Sequence, residues 1–175
     1  MSTQIDPRPA EGYAGDLTPQ QAWDLLTGDP DAVLVDVRTE GEWRAVGVPD
    51  TTAAGTAPVF VEWVQAGGRP NAGFLAELAA AGVTADRPIA FLCRSGQRSI
   101  GAARLATASG LGPAYNVLEG FEGGPGFDGV RDREGWKVRG LPWGAYDDAA
   151  AHGAKQQAPQ QTSEQATEQT SEQAR

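Results

Sequence analysis

Cysteine and histidine, the side chains that metal and disulfide chemistry depends on, are nearly absent from this chain. Its 175 residues include one cysteine and one histidine. A single cysteine excludes an internal disulfide, a Cys-x-x-Cys redox pair and a multi-cysteine zinc site, so no metal and no cofactor is expected. The histidine, His152, lies in a polar C-terminal stretch. A thiol–imidazole pair of the kind cysteine proteases and transglutaminases use therefore has no second member. A peroxide-reducing or thioredoxin-like thiol lacks a resolving cysteine. Positive charge is also scarce: 14 Lys plus Arg stand against 23 Asp plus Glu, a net charge of -9. That balance argues against a nucleic-acid partner. No apolar run approaches the ~20 residues of a membrane-spanning helix, so no membrane partner is expected either. The opening MSTQIDPRPAEGYAG lacks the basic-then-apolar layout of a secretory leader. A free thiol in such a chain suits a reducing compartment, and a cytoplasmic location is expected.

What is present divides the chain into three parts: an irregular arm over 1–15, a single domain over 16–146, and a tail over 147–175. The tail repeats TSEQ, ATEQ and TSEQ with almost no bulky apolar residue, so it is expected to be disordered. Within the domain, helix-like and strand-like pieces alternate. Thr18-Pro19-Gln20-Gln21 is a capping box with proline at the first helical position, and Ala22, Leu25 and Leu26 follow as a buried stripe up to Gly28. Ala32 to Val37 is a nearly continuous apolar run, the pattern of a strand covered on both faces. Thr39 to Glu42 forms a second capping box ahead of Trp43. Pro58 to Trp63 reads as a strand, Asn71 to Gly82 as an amphipathic helix, Pro88 to Leu92 as a buried strand, Ser99 to Ser109 as a helix, and Tyr115 to Leu118 as a closing strand. Such alternation predicts an α/β fold: three α/β/α layers around a mainly parallel sheet of about five strands. Ligands of these sheets bind beyond the carboxyl ends of the strands, where Asp36, Arg38 and Cys93 all emerge.

Cys93 is where chemistry is expected. It follows an apolar strand directly and opens the run Cys93-Arg94-Ser95-Gly96-Gln97-Arg98-Ser99, which leads into a helix. A thiol so placed meets backbone N–H groups, the positive end of a helix and two guanidinium groups, each favouring the thiolate. A buried filler cysteine would not account for two arginines, two serines and a turn-forming glycine in the next six positions. Two nucleophilic readings survive: a thiolate attacking phosphorus or arsenic, as in a phosphatase or arsenate reductase, and a thiolate carrying sulfur. Both need a cradle of inward N–H groups. Four residues separate Cys93 from Arg98, one fewer than in tyrosine phosphatases. The tighter cradle suits one added sulfur better than a phosphoryl group. A non-catalytic module that uses the cradle or the tail to bind a partner is a third reading.

These residues resemble the rhodanese (thiosulfate sulfurtransferase) homology domain over roughly Leu17 to Trp143. Cys93 to Arg98 is similar to the family's Cys-x-x-Gly-x-Arg loop. Leu34 to Arg38 with Glu40, Glu42 and Trp43 is similar to its Asp-x-Arg-x-x-x-Glu-aromatic motif, and Asn116 to Phe121 to its closing strand. There are departures: Gly47-Val48-Pro49-Asp50-Thr51-Thr52 carries no histidine, and Gly123-Gly124 come later than the family's second glycine. The resemblance implies a sulfurtransferase in which Cys93 takes sulfane sulfur from a small anion such as thiosulfate, holds it as a persulfide and passes it to a thiol or cyanide-like acceptor. It assigns Arg94, Ser95, Gly96, Gln97, Arg98 and Ser99 to substrate binding, with Arg98 and the loop amides holding the outer sulfur. Asp36, Arg38 and Glu42 are supporting residues. Arg38 and Glu42 are expected to form an ion pair, and Asp36 to fix the loop or pair with an arginine.

Overall fold

The structure, a computed structural model, describes residues 5–153. Its elements, in chain order, are β1 (Gly15–Leu17), α1 (Pro19–Gly28), β2 (Val33–Asp36), α2 (Glu40–Val46), β3 (Val48–Pro49), β4 (Val59–Phe60), β5 (Val64–Gln65), β6 (Arg69–Pro70), α3 (Phe74–Ala80), β7 (Ile89–Leu92), α4 (Arg98–Ala108), β8 (Ala114–Val117), β9 (Trp143–Gly144) and α5 (Asp148–Gly153). One five-stranded sheet runs in the order β1-β8-β7-β2-β4, with every neighbouring pair parallel.

The two layers of core follow from the two-residue period of the strands. Val33, Val35, Ile89 and Phe91 project to one face, where they pack with Phe74 and Leu78 of α3 and Ala102, Ala103 and Ala106 of α4. Leu34, Ala90 and Leu92 project to the other, against Ala22 and Leu26 of α1 and the buried Phe121 and Trp136. Small residues on α4 let the helix lie close to the sheet. Both expected capping boxes form. Thr18 and Gln21 exchange bonds at the start of α1, as do Thr39 and Glu42 at the start of α2.

Several boundaries differ from the sequence reading. The Pro58–Trp63 run yields only the two-residue edge strand β4, although Val61 and Trp63 still donate to the carbonyls of Asp36 and Val37 at the end of β2. The expected helix over 71–82 begins at Phe74, because the Asn71 side chain accepts the Gly73 N–H and holds an Asx turn instead. Strand β1 and the small pairs β3–β9 and β5–β6 were not legible at all: strands of two or three residues carry no period. The first residues of the expected tail form α5, where Asp148 is tied to Arg44 at 2.7 Å. The TSEQ repeats lie outside the described residues. The arm is anchored rather than loose over part of its length, since Arg8 and Asp16 exchange backbone bonds. No helix among the described residues is long and apolar enough to cross a membrane.

Candidate active site

Strands β2 and β7 are adjacent, with Asp36 opposite Leu92. Their carboxyl ends therefore deliver Asp36, Arg38 and Cys93 to one edge of the sheet, as the sequence implied. Cys93 lies two residues beyond Phe91 and keeps to the same face, so its side chain turns toward α4. Only 1% of the residue is exposed. The loop then bends through Gly96 at φ +85°, a conformation that favours glycine, and enters α4 at Arg98. Gln97, the residue before the helix, makes no side-chain cap.

Two groups lie within hydrogen-bond reach of the sulfur among the described residues: the Gly96 N–H at 3.2 Å and the Ser99 hydroxyl, whose Oγ is 3.1 Å from Sγ. Ser99 is itself fully buried and sits on the first turn of α4. Arg94 and Gln97 are exposed, while Ser95 and Arg98 are half-buried. The Arg94 carbonyl is turned inward and accepts from Glu122 and Gly123, which ties the loop to the segment after β8.

That segment passes very close. Gly120 has φ +64°, and a Cβ there would overlap the carbonyl groups of Cys93 and Arg94. Gly120→Ala should therefore cost about 2 kcal/mol or more, from backbone strain plus the overlap. It should also displace the loop, read as a lower urea midpoint together with a changed rate of Cys93 alkylation.

The arginines are arranged differently from the sequence expectation. Arg38 does not pair with Glu42. It is fully buried and turns back onto Asp36, with Nη2 2.6 Å from Oδ2 and Nε 3.0 Å from Oδ1, and Nη2 also donates to the Gly47 carbonyl. The Arg38 guanidinium carbon lies 4.0 Å from the centre of the Phe121 ring. Glu42 instead receives Arg98 from across the fold, through Nη1 at 2.9 Å and Nη2 at 2.6 Å. Arg38 precedes α2 and its side chain follows the strand face, so spacing along a helix does not apply to it. Both Asp36 oxygens accept from Arg38.

Arg98 is thus paired with Glu42 rather than left free in the loop. It is fixed by Glu42, and feels the charge of Cys93 and Asp36 through space; the Glu42 bonds outweigh burial and raise its pKa. Burial alone would push the Glu42 carboxyl up, but the Arg98 and Thr39 hydrogen bonds outweigh it and hold the pKa at about 2. The folded chain binds the Glu42 proton less readily than the unfolded one. The stabilisation is therefore complete above the ordinary value of 4.5 and is lost as pH falls toward about 2. Glu42→Gln should lower stability by about 1 kcal/mol at neutral pH, given the partial solvent screening of the pair. Urea titrations should show the deficit shrinking through that acidic window.

Sequence reasoning missed four residues behind the sulfur. Ser99 Oγ also lies 2.5 Å from Asn116 Oδ1, and Asn116 Nδ2 donates to Asp16, which in turn holds Tyr13 and Arg8. The available signal was an asparagine inside the apolar strand β8, a position that residue type disfavours.

Against known proteins, the model of the rhodanese-like domain family matches residues 18–124. An uncharacterized protein of Rickettsia conorii, RC0915, is 36% identical over 126 residues, spanning 70% of this chain and 91% of its own length. Among solved structures, that of Rv0390 from M. tuberculosis is 55% identical, with a TM-score of 0.70, covering 77% of this chain and 99% of that one. The polysulfide-sulfur transferase homodimer of Wolinella succinogenes shares the fold at 24% identity and a TM-score of 0.52, over 78% of this chain and 82% of that one.

Proposed function

This chain belongs to the rhodanese-like domain family, and on that premise we propose that it is a sulfurtransferase whose carrier is a Cys93 persulfide. The observation that carries the reading is the sulfur's setting. Sγ sits at the end of a central strand, inside a loop of six residues, with the Ser99 hydroxyl and the Gly96 N–H 3.1 and 3.2 Å away and the uncapped start of an eleven-residue helix beside it.

A thiolate is the attacking form. Its attack on the outer sulfur of thiosulfate forms the Sγ–S bond and breaks the donor's S–S bond. Sulfite departs with the electron pair, and the negative charge moves from Sγ to the new outer sulfur. The partial positive charge at the start of α4 is placed to meet these anions. Exposed Arg94 can meet an incoming donor anion, and the Arg98–Glu42 pair holds the first turn of α4 against α2, so its part is to keep the loop in shape. Return of the sulfur to a thiol or cyanide-like acceptor completes the transfer without a metal or a cofactor. The donor and acceptor are small molecules in this reading, and a cytoplasmic location supplies the reduced thiol it needs.

Intact-mass measurement after mixing the purified protein with thiosulfate tests this. Cys93 should gain the mass of one sulfur atom and release an equal amount of sulfite, and a reduced thiol should reverse the gain. No gain with thiosulfate, polysulfide or mercaptopyruvate, while the thiol remains alkylatable, rejects it. Turnover of an aryl phosphate or arsenate instead would point to the phosphatase or reductase chemistry of related loops.

A further inference from the structure

Behind Cys93 a chain of polar groups, buried at Ser99, Asn116 and Asp16, crosses from the sulfur to the N-terminal arm. Ser99 Oγ is 3.1 Å from Sγ and 2.5 Å from Asn116 Oδ1. Asn116 Nδ2 is 2.9 Å from Asp16 Oδ1, which also accepts the Tyr13 hydroxyl at 2.8 Å. The second Asp16 oxygen accepts Arg8 Nε at 2.9 Å and Nη2 at 2.5 Å. Ser99 and Asn116 are fully buried, so water does not compete for the bonds between them and the sulfur.

The chain has a direction. Burial alone would raise the Asp16 pKa, but the hydrogen bonds from Asn116, Tyr13 and Arg8 outweigh it and lower it. Burial, and then the bond to Asp16, push the Tyr13 hydroxyl up to about 12, so it stays a donor. An ionised carboxylate only accepts. Asn116 must therefore turn its nitrogen to Asp16 and its oxygen to Ser99. The Ser99 hydroxyl then has one proton and two acceptors within reach, Sγ and Asn116 Oδ1.

We propose that Asn116 is a positioning residue that competes with Cys93 Sγ for the Ser99 hydroxyl proton. The inference rests on Cys93 as the nucleophile of sulfur transfer. In the thiol, S–H donates to Ser99 Oγ and the hydroxyl donates to Asn116 Oδ1. When the thiol proton leaves for solvent, the hydroxyl turns to the charged sulfur. When Sγ takes up the donor's sulfur, its charge moves outward to the new atom, and the hydroxyl swings back to Asn116 with no proton gained or lost. Asn116 thus offsets the bond that Sγ gives up and favours the loaded state over the free thiolate. The other charged groups at this edge, the Arg98–Glu42 and Arg38–Asp36 pairs and the exposed Arg94, are untouched by the variants below.

Ultraviolet absorbance of the thiolate against pH, corrected with Cys93→Ser, reads this in the full chain without any sulfur donor. Ser99→Ala should raise the titration midpoint by about one pH unit, the effect of one charge-assisted hydrogen bond. Asn116→Ala should lower it by about half a unit, because the hydroxyl is left with sulfur alone. The double variant should match Ser99→Ala, since Asn116 acts only through Ser99. An unchanged or raised midpoint in Asn116→Ala overturns the proposal, as does a double variant shifted from Ser99→Ala by the full Asn116 effect. Asn116→Leu, of similar volume and without polar atoms, reads the same quantity should the alanine cavity unfold the chain. A failed persulfide assay leaves this titration intact, so the two readings can fail separately.

Discussion

Cys93→Ser is expected to lose the sulfur-atom mass gain entirely and to reduce sulfur transfer by about a thousandfold or more, while leaving the fold in place. The reason is chemical rather than steric. Serine keeps the side-chain shape, and its oxygen can still accept from the Gly96 N–H and the Ser99 hydroxyl that now meet Sγ. An alkoxide does not form near neutral pH, and an O–S adduct does not act as a persulfide does. With no second cysteine in the chain, no other side chain can store the sulfur. Circular dichroism and a urea midpoint close to wild type, together with a silent mass spectrum after thiosulfate, would establish the pattern. Transfer that survives the substitution would show that Cys93 is not the carrier.

The largest effect on stability is expected from Asp36→Ala. Both members of the Asp36–Arg38 pair have fully buried side chains, and their closest approach is 2.6 Å. Four hydrogen bonds from Arg38, three from the guanidinium and one from the backbone N–H, run to Asp36 oxygens, and Arg38 Nη1 has no hydrogen-bond partner among the described residues. Removing the carboxylate would leave a buried guanidinium with the Gly47 carbonyl and the face of Phe121 as its remaining company. Breaking such a pair on one side costs about 3–5 kcal/mol. That is a large share of the ~5–15 kcal/mol that holds a domain of this kind together. The pair as a whole contributes far less, because burying two charges offsets most of their attraction. Asp36→Leu combined with Arg38→Met should therefore recover much of the loss, and urea titrations of the single and double variants measure the coupling directly. If Asp36→Ala unfolds at the wild-type midpoint, the buried pair is not what holds the edges of β2 and the Gly47 turn.

Much of this architecture was legible because it is encoded by residues close together in the chain. The capping boxes at Thr18 and Thr39 each complete within four residues, and both form. The apolar runs at Val33–Asp36 and Ile89–Leu92 announce strands covered on both faces, and both are central in the sheet. The reactive loop was legible for the same reason: strand end, cysteine, glycine and helix start follow one another without a gap. What could not be read were the pairings between distant residues. Arg38 with Glu42 looked natural at a spacing of four, yet Arg98, 56 positions from Glu42, takes that carboxylate, and Arg38 takes Asp36. The three-residue strand β1 has too few residues to show a period, and so Asp16 gave no sign of its place beside Asn116, 100 positions away.

The sequence by itself determined that there is one thiol, that it stands between a buried strand and a helix, and that no histidine, second thiol or metal-binding cluster accompanies it in the loop. Local propensity and hydrophobic period suffice for that, since each acts over a few neighbouring residues. Only the tertiary structure decided which charge meets which, and that Ser99, with Asn116 and then Asp16 beyond it, stands behind the sulfur. Those partners are chosen by which strands lie side by side and how closely α2 and α4 approach, and packing settles that across the whole chain.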